Sequence, residues 1–368
     1  MSIPQTQAAA QLQTDFLSAS DAARLVMRTG ITQVLRLMSE AIEADFMRWQ
    51  DFDKSARTAA HSASGVIELM PVADAQNYAF KYVNGHPHNP QLGLPTVMAF
   101  GALADVATGM PRFVSELTLT TALRTAATSA MAAKHLARKD SRSMALIGNG
   151  SQSEFQALAF MELLGVRELR LFDIDPAASQ KLLRNLQPFL AQFSARVSIA
   201  ASAGDAVKDA DIVTTATADK TRATIIQAPL LQSGMHLNAV GGDCPGKTEL
   251  DASILQAAQV FVEYTPQSRI EGEIQQMPAD FAVTELWQVL RGEKPGRQSA
   301  AEITVFDSVG FAIEDYSAMR YLHALARKHG VLQALPLLPQ LADPKDLFSV
   351  LSSDTRPSAR PNHHATTA

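Results

Sequence analysis

Residues 144–153 of the chain, Met-Ala-Leu-Ile-Gly-Asn-Gly-Ser-Gln-Ser, decide its fold. The apolar run 144–147 predicts a buried strand, and the segment 154–160 that follows predicts a helix. Between them, Gly148 and Gly150 let the backbone turn tightly and approach a ligand closely. Because a helix N-terminus presents unpaired N–H groups, a strand, a glycine turn and a helix in this order suit a dinucleotide pyrophosphate.

A second predicted strand, residues 168–172, ends in Asp173, which follows Gly148 by 25 residues. In dinucleotide-binding proteins, an acidic residue about 20 positions after the first glycine holds the ribose 2′-hydroxyl and repels a 2′-phosphate. The spacing therefore predicts NAD rather than NADP as the cofactor. Ser153 stands where the fingerprint has its third glycine, so we expect the helix to lie slightly further from the strand.

The composition is that of an ordinary globular protein, with 46% hydrophobic and 19% charged residues among 368. This length predicts two domains.

The net charge of −5 and the pI of about 6.0 give no electrostatic reason to expect a nucleic acid or an anionic membrane as a partner. The single cysteine, Cys244, suits a reducing compartment. Residues 1–14 lack the features of a signal peptide and no long apolar run follows, so we expect a soluble, cytoplasmic protein.

The chain divides into two predicted domains and two tails. Residues 140–313 alternate strand and helix, which is the pattern of a doubly wound parallel sheet. Residues 15–139 mix helix and strand, and we assign residues 314–352 to the same domain. The polar tails, 1–14 and 353–368, are predicted to be disordered. We therefore predict an α/β protein with a Rossmann-type doubly wound domain and a second, α+β domain.

Apolar periodicity locates the other elements. Helices are predicted at residues 31–49, at 120–137, where the pattern is amphipathic and rich in alanine, and at 311–329, which is expected to return to the first domain. Strands are predicted at residues 65–70, 78–83, 96–100, 211–216, 236–240, 260–263 and 303–306.

Small and acidic residues follow several strands of the second domain, at the edge where ligands of such sheets bind. Thr217 follows one strand, residues 241–243 (Gly-Gly-Asp) follow the next, and Ser308 follows another. The two glycines permit close approach to a flat ring, and Asp243 would then hang over the nicotinamide. The alternative, that Asp243 caps the following segment, stays open. We interpret Cys244 as a buried bystander rather than a nucleophile, because no neighbouring residue marks it as activated.

Charged residues interrupt apolar segments of the first domain. Lys81 and Glu68 lie within predicted strands, and Arg124 lies in a helix among small residues. Any one of them alone would normally face water. Three cations in one domain, with Arg57 as the third, favour a pocket for a small carboxylate, to which the arginine fork is well matched.

Four segments resemble the ornithine cyclodeaminase/mu-crystallin family. They are residues 48–57 (RWQDFDKSAR), 66–71 (VIELMP), 80–87 (FKYVNGHP) and 236–250 (HLNAVGGDCPGKTEL). The similarity runs from about residue 46 to 321. The wider family also contains ketimine reductases, lysine cyclodeaminases and some alanine dehydrogenases, and the segment from Asp243 to Glu249 resembles the cyclodeaminase branch.

The resemblance implies roles for individual residues. Arg57, Lys81 and Arg124 would bind the substrate α-carboxylate, and Glu68 would contact its amine region. Asp243 would be the catalytic acid and base, with Glu68 as the second catalytic carboxylate, and Val309 would touch the substrate. The NAD site would be lined by Thr96, Arg124, Gly148, Gly150, Ser151, Gln152, Asp173, Thr217, Val240, Gly241, Gly242, Asp243, Lys247 and Ser308. No metal is predicted, since His363 and His364 in a polar tail are more often solvated than ligating.

The implied reaction is that of a lyase, which converts L-ornithine to L-proline and ammonia by oxidation at Cα, cyclisation and re-reduction with catalytic NAD. The resemblance also implies proline biosynthesis from ornithine or arginine, and a homodimer formed through the first domain, which would bind the substrate as well. Three alternatives remain: a lysine cyclodeaminase, an alanine dehydrogenase or ketimine reductase, and a non-catalytic NAD(P)-binding protein of crystallin type. Glu68 and Asp243 argue against the last, since a pure binder needs no pair of placed carboxylates.

Overall fold

Two eight-stranded sheets organise the chain in the computed structural model, which describes residues 13–218 and 224–352. The strands are β1 (Thr14–Leu17), β2 (Asp53–Lys54), β3 (Thr58–His61), β4 (Val66–Ala73), β5 (Asn77–Gly85), β6 (Ala99–Asp105), β7 (Pro111–Glu116), β8 (Ser143–Ile147), β9 (Glu168–Phe172), β10 (Arg196–Ile199), β11 (Ile212–Thr215), β12 (His236–Ala239), β13 (Gln259–Val262), β14 (Thr284–Glu285), β15 (Thr304–Asp307) and β16 (Gln333–Leu335). The α-helices are α1 (Ala19–Thr29), α2 (Ile31–Met47), α3 (Thr118–Leu136), α4 (Ser153–Leu164), α5 (Pro176–Phe193), α6 (Ala203–Val207), α7 (Ala252–Ala257), α8 (Thr265–Glu271), α9 (Leu286–Leu290), α10 (Ala312–His329) and α11 (Ser349–Ser352).

The second sheet is parallel throughout, in the order β10-β9-β8-β11-β12-β15-β13-β14. Its central strands β8, β11, β12 and β15 are buried at every position, as expected where helices cover both faces of a parallel sheet. Five consecutive strands, β10-β9-β8-β11-β12, follow the 3-2-1-4-5 order of doubly wound nucleotide-binding sheets. The predicted Rossmann-type architecture is therefore confirmed.

The first sheet has the order β16-β1-β7-β6-β5-β4-β2, with β3 also paired to β4. All of its pairs are antiparallel except β1 with β7. On two of its strands, β4 and β5, charged side chains point into the protein while neighbouring apolar or aromatic side chains point outward, the reverse of the usual arrangement. On β4 the side chain of Glu68 points into the protein and those of Ile67 and Leu69 point outward, and on β5 Lys81 points inward beside an outward-facing Tyr82. The buried positions of Glu68 and Lys81 agree with the predicted pocket, and not with the solvent-facing orientation usual for a single charged strand residue, because their face lines a cleft.

Helix α3 lies between the two sheets and packs against α2, α4 and α10. It is buried on nearly every side, so its prediction as an amphipathic helix is wrong in that respect. Its alanines, serines and threonines are explained by this position, since small side chains let the neighbouring helices approach closely. Helix α10 packs on α2 and on strand β5, which brings the end of the chain back to the first sheet.

Two predicted boundaries differ from the structure. The strand expected at 96–100 begins at Ala99 and runs to Asp105, because residues before it form the cleft wall. The predicted N-terminal extension ends too late, since Thr14 is a fully buried residue of β1. The tail 353–368, which contains His363 and His364, lies outside the described residues. Across the ranges 13–218 and 224–352, none of the helices has the length and apolar composition that crossing a membrane requires.

Candidate active site

A single cleft collects most of the predicted site residues from both sheets. It encloses about 1200 Å³, counted to its open mouth. The predicted residues that line it are Arg57, Glu68, Lys81, Thr96, Arg124, Gly150, Ser151, Gln152, Thr217, Val240, Gly241, Asp243, Lys247, Ser308 and Val309. Three predicted residues, Gly148, Gly242 and Asp173, are not part of its lining.

The glycine turn after β8 has the backbone geometry that the motif predicts. Gly148 has φ of +88°, and a Cβ there would lie 2.6 Å from the carbonyl oxygen of Ala216, so only glycine fits. The Cβ position of Gly150 faces open space. Ser153, in place of the third glycine, is buried and donates a hydrogen bond of 2.7 Å to the Gly150 carbonyl, which ties helix α4 to the turn.

Asp173 is fixed at the end of β9, beside the glycine turn. One carboxylate oxygen accepts a hydrogen bond of 2.6 Å from the backbone N–H of Asn149, and the other accepts one of 2.8 Å from that of Asp175. The carboxylate is therefore held in one orientation next to the turn, outside the cleft lining.

The side chain of Arg57 is 5% exposed, and each of its three nitrogens lies within 3.0 Å of a protein oxygen. Its Nη1 lies 3.0 Å from Glu68 Oε2, and its Nε lies 3.0 Å from Glu271 Oε2. Its Nη2 donates hydrogen bonds of 2.6 Å to the carbonyls of Val309 and Gly310, which follow β15. Arg57 thus links the first sheet to the loop that follows strand β15 of the second sheet.

Lys81 and Arg124 meet at one carboxylate. Lys81 Nζ lies 2.7 Å from Asp315 Oδ2, and Arg124 Nε lies 3.1 Å from Asp315 Oδ1. Arg124 Nη1 also lies 2.6 Å from Glu314 Oε2. Burial, together with the charge of Arg124, lowers the pKa of Lys81 to about 8. The three predicted cations therefore share one wall of the cleft, and each is already paired with an acid. Of these acids the sequence singled out Glu68, and it did not single out Glu271, Glu314 or Asp315.

Two further carboxylates face this cationic wall. Glu68 is buried, and its Oε1 has no hydrogen-bond partner among the residues that the structure describes. Glu271, which was not predicted from the sequence, is also buried. Burial raises its pKa to about 7. The charge of Arg57 opposes this rise, and the charges of Glu68 and Asp243 add to it. The only sequence signal for Glu271 was its acidic character at the end of a helix, which is too common to identify a site.

Asp243 reaches into the cleft from the loop after β12, and its side chain is 51% exposed. Its Oδ1 lies 3.3 Å from Nζ of the buried Lys247, which also donates a hydrogen bond of 2.8 Å to the Thr217 carbonyl. Burial alone would lower the pKa of Lys247, but the carboxylates of Asp243 and Glu249 raise it above the ordinary value. The contact that positions Asp243 is therefore with a lysine. Cys244, beside it, is buried as predicted.

Two buried acids that the sequence did not single out, Asp307 and Glu273, lie beneath this loop and hold its backbone. Asp307 accepts backbone N–H bonds from Glu273 (2.8 Å) and Ile274 (3.0 Å), and Glu273 accepts them from Glu249 (2.7 Å) and Leu250 (3.1 Å). Burial raises the pKa of Asp307 to about 7 and that of Glu273 to about 8. In the described part of the chain, no group of three or more His, Cys, Asp or Glu side chains is arranged to hold a metal ion.

The chain was compared with known proteins. It is 53% identical over 354 residues to the ornithine cyclodeaminase of Brucella suis biovar 1, covering 94% of this chain and 97% of the relative. Its structure matches that of a lysine cyclodeaminase, solved for recognition of L-lysine, L-ornithine and L-2,4-diaminobutyric acid, with a TM-score of 0.85, 29% identity and coverage of 91% and 99%. It also matches an archaeal alanine dehydrogenase dimer with bound NAD, with a TM-score of 0.80, 30% identity and coverage of 89% and 100%.

The sequence profile of the ornithine cyclodeaminase/mu-crystallin family matches residues 20–330, which include every side chain of the cleft described above. The family resemblance seen in four short segments thus extends over most of the chain. This chain belongs to the ornithine cyclodeaminase/mu-crystallin family.

Proposed function

We propose that this protein is an NAD-dependent ornithine cyclodeaminase that converts L-ornithine to L-proline and ammonia. The observation that carries the proposal is the cleft itself, in which a dinucleotide turn, three buried cations and the two carboxylates of Glu68 and Asp243 open onto one space. The 53% identity to a curated ornithine cyclodeaminase over nearly the full length supports the same activity.

NAD fits the nucleotide half of the cleft. The Cβ position of Gly150 is open, so a pyrophosphate can approach the backbone at the start of helix α4, and Gln152 Oε1 is a buried acceptor without a hydrogen-bond partner in the described ranges. Asp173 is held beside this turn, where a ribose hydroxyl can donate to it. The residues that would hold NAD are Thr96, Arg124, Gly148, Gly150, Ser151, Gln152, Asp173, Thr217, Val240, Gly241, Gly242, Asp243, Lys247 and Ser308. When bound, NAD supplies a hydride acceptor for Cα of the substrate and later returns the hydride.

The cationic wall would orient the substrate. Arg57, Lys81 and Arg124 carry the positive charge that an α-carboxylate needs, and their pairing with buried acids holds them rigidly before the substrate arrives. Glu68 Oε1 is a buried acceptor without a partner in the described chain and would receive a hydrogen bond from the substrate amine. Val309, at the end of β15, would pack against the substrate.

Asp243 would act as the general base for ring closure. Once Cα has lost its hydride and become an imine carbon, Asp243 would accept a proton from the δ-ammonium group, so that the neutral δ-nitrogen can attack Cα within the same molecule and form a five-membered ring. The C–N bond to the α-nitrogen then breaks and ammonia leaves. Asp243 suits this task because its side chain reaches the cleft while Lys247 holds its other side.

A lysine cyclodeaminase is the second candidate, favoured by the structural match to a protein of that name. A pocket discriminates one methylene by about 1–3 kcal/mol, so both substrates could enter. The higher identity to an ornithine cyclodeaminase, 53% against 29%, makes ornithine the proposed substrate.

We also propose that two copies associate through the first sheet. Its outward face exposes apolar side chains on three adjacent strands, with Ile67 41%, Leu69 42%, Tyr78 39% and Phe100 47% accessible. A contiguous apolar patch of this kind normally marks an interface. In this proposal residues 15–139 plus 314–352 bind substrate and dimerise, and residues 140–313 bind NAD.

The decisive experiment uses L-ornithine deuterated at Cα with a catalytic amount of NAD⁺, followed by mass spectrometry of the products. Deuterated proline, released ammonia and no net NADH would support internal return of the hydride. NADH accumulating without proline would indicate a dehydrogenase instead. Product from lysine but not from ornithine would favour the second candidate.

A further inference from the structure

Glu249 is a buried carboxylate directly beneath the floor of the cleft. Its side chain packs against Gly241, which lines the cleft, so closely that a Cβ on Gly241 would overlap both carboxylate oxygens. Oε1 accepts a hydrogen bond of 2.9 Å from the backbone N–H of Thr217 and a second from its hydroxyl. Oε2 has no hydrogen-bond partner within the described ranges, and the residue is 1% exposed.

The charges at this end of the cleft do not cancel. Lys247 supplies one positive charge, against the two carboxylates of Asp243 and Glu249. The two acids below them contribute less negative charge near neutral pH, because burial raises the pKa of Glu273 to about 8 and that of Asp307 to about 7. Glu249 is therefore the group that leaves this end of the cleft with a net negative charge.

Gly241 and Thr217 lie two residues beyond the ends of the adjacent strands β12 and β11, and the sequence predicts the nicotinamide ring against the glycines at this place. That ring carries a positive charge in NAD⁺ and none in NADH. A carboxylate separated from it by one glycine attracts the oxidised form and has no charge to attract in the reduced form. We propose that Glu249 lowers the reduction potential of the bound cofactor by binding NAD⁺ more tightly relative to NADH.

This inference rests on the proposed function in that it assumes the nicotinamide lies over Gly241. It adds a role that the reaction needs, because the cofactor must give the hydride back in every cycle. A site that destabilises NADH relative to NAD⁺ favours the return step and disfavours a stalled, reduced enzyme.

The test measures binding without substrate, as the dissociation constants of NAD⁺ and NADH by titration calorimetry. Glu249→Gln keeps an acceptor for Thr217 and removes the charge, so the affinity for NADH relative to NAD⁺ should rise about tenfold. Asp251→Asn is the matched control, since it removes a charge two residues further on, where the side chain caps helix α7 at the surface and asparagine caps equally well. Its ratio should equal that of the unmodified protein.

Lys247→Met provides a second, independent test if the Glu249 variant does not fold. Removing the cation leaves the negative charge of Glu249 less balanced, so the affinity for NADH relative to NAD⁺ should fall, in the opposite direction. Contacts that Lys247 makes equally to both cofactor forms cancel in this ratio. Ratios that stay unchanged, or that move in the same direction in both variants, would overturn the role of Glu249 alone. An unmodified protein that binds neither form would overturn the use of NAD, and the proposed function with it.

Discussion

Lys81 Nζ lies 2.7 Å from Asp315 Oδ2, and the two side chains are only 1% and 2% exposed. The pair joins a strand of the first sheet to the first turn of helix α10, and Arg124 Nε approaches the other oxygen of Asp315 at 3.1 Å. A lysine buried this deeply next to an arginine loses its proton more readily than one at the surface. Its charge therefore depends on pH within a range that can be measured.

Burial lowers the pKa of Lys81 to about 8. We therefore predict that the KM for L-ornithine rises as the pH increases through about 8. Below that pH Lys81 is charged and can hold the substrate carboxylate, and above it the charge is lost. In Lys81→Arg the cation stays protonated, so the alkaline rise in KM should disappear. An identical alkaline rise in both proteins would assign it to another group.

The lowered pKa of Lys81 also makes the free energy of unfolding depend on pH. Since the unfolded chain keeps its Lys81 proton up to about pH 10.4, it binds more protons than the folded protein between pH 8 and that value. The free energy of unfolding contributed by Lys81 should therefore rise with pH across this window. Urea unfolding of the unmodified protein and of Lys81→Arg at several pH values would measure the difference.

Replacing the proposed acid and base should separate chemistry from binding. We predict that Asp243→Asn still binds NAD⁺ but loses about 10²–10⁴-fold in the rate of proline formation, the range for removal of a general base. Asp251→Asn, which changes a surface carboxylate in the same segment, serves as control and should keep full activity. Near-normal turnover of the Asp243 variant would exclude it as the proton acceptor.

Cofactor choice should depend on the carboxylate beside the glycine turn. In Asp173→Ser the charge that repels a 2′-phosphate is gone, so the preference for NAD⁺ over NADP⁺ should fall by about tenfold or more. Binding constants for both nucleotides measure this directly. Asp175→Asn, a change at the cap of the next helix, should leave the preference intact. An unchanged preference in the Asp173 variant would show that this carboxylate does not face the ribose.

The nucleotide half of the site was predictable because its signal is local. Gly148 and Asp173 lie on consecutive strand ends of one βαβ unit, so their spacing alone places them together. Asp243 was found in the same way, as the residue after a strand of the same sheet. The alternating pattern also located β4 and β5, but alternation alone does not say which face is buried. The predicted pocket at Glu68 and Lys81 therefore depended on the number of cations in the first domain and on the family resemblance.

Except for Glu68, the acids that partner the cationic wall could not be predicted. Arg124 pairs with Glu314, 190 residues further along the chain, and neither position carries a motif. Their meeting depends on helix α10 returning across the first sheet, and that is a property of tertiary packing. Glu273 and Asp307 escaped notice for the same reason, since each is held by backbone N–H groups of a distant segment.

The apolar outer face of the first sheet predicts a dimer that a single charge should disrupt. Leu69 is 42% exposed on that face, so Leu69→Glu should shift the protein from dimer to monomer in sedimentation velocity. Met27→Glu is the matched control, because Met27 is an 82% exposed side chain on helix α1, away from this face. Unmodified protein that sediments as a monomer would rule out the interface, and a dimer unaffected by the Leu69 change would place it elsewhere.

Glu271 should control the acid side of the pH profile. Ornithine brings two ammonium groups and one carboxylate, so a cleft that gains a negative charge binds it better. Burial raises the pKa of Glu271 to about 7, and kcat/KM should therefore fall as the pH drops below that value. Glu271→Gln should lose this acid limb, whereas Glu271→Asp should retain one.

The pH dependence of thermal stability offers an independent check on the role of Glu271. The folded protein keeps the Glu271 proton up to about pH 7, whereas the unfolded chain loses it near 4.5, so stability from this group is present at low pH and declines as the pH rises between those values. In Glu271→Gln the Tm should accordingly vary less between pH 5 and 8 than in the unmodified protein. An acid limb and a Tm profile that both survive the substitution would show that another carboxyl group governs this range.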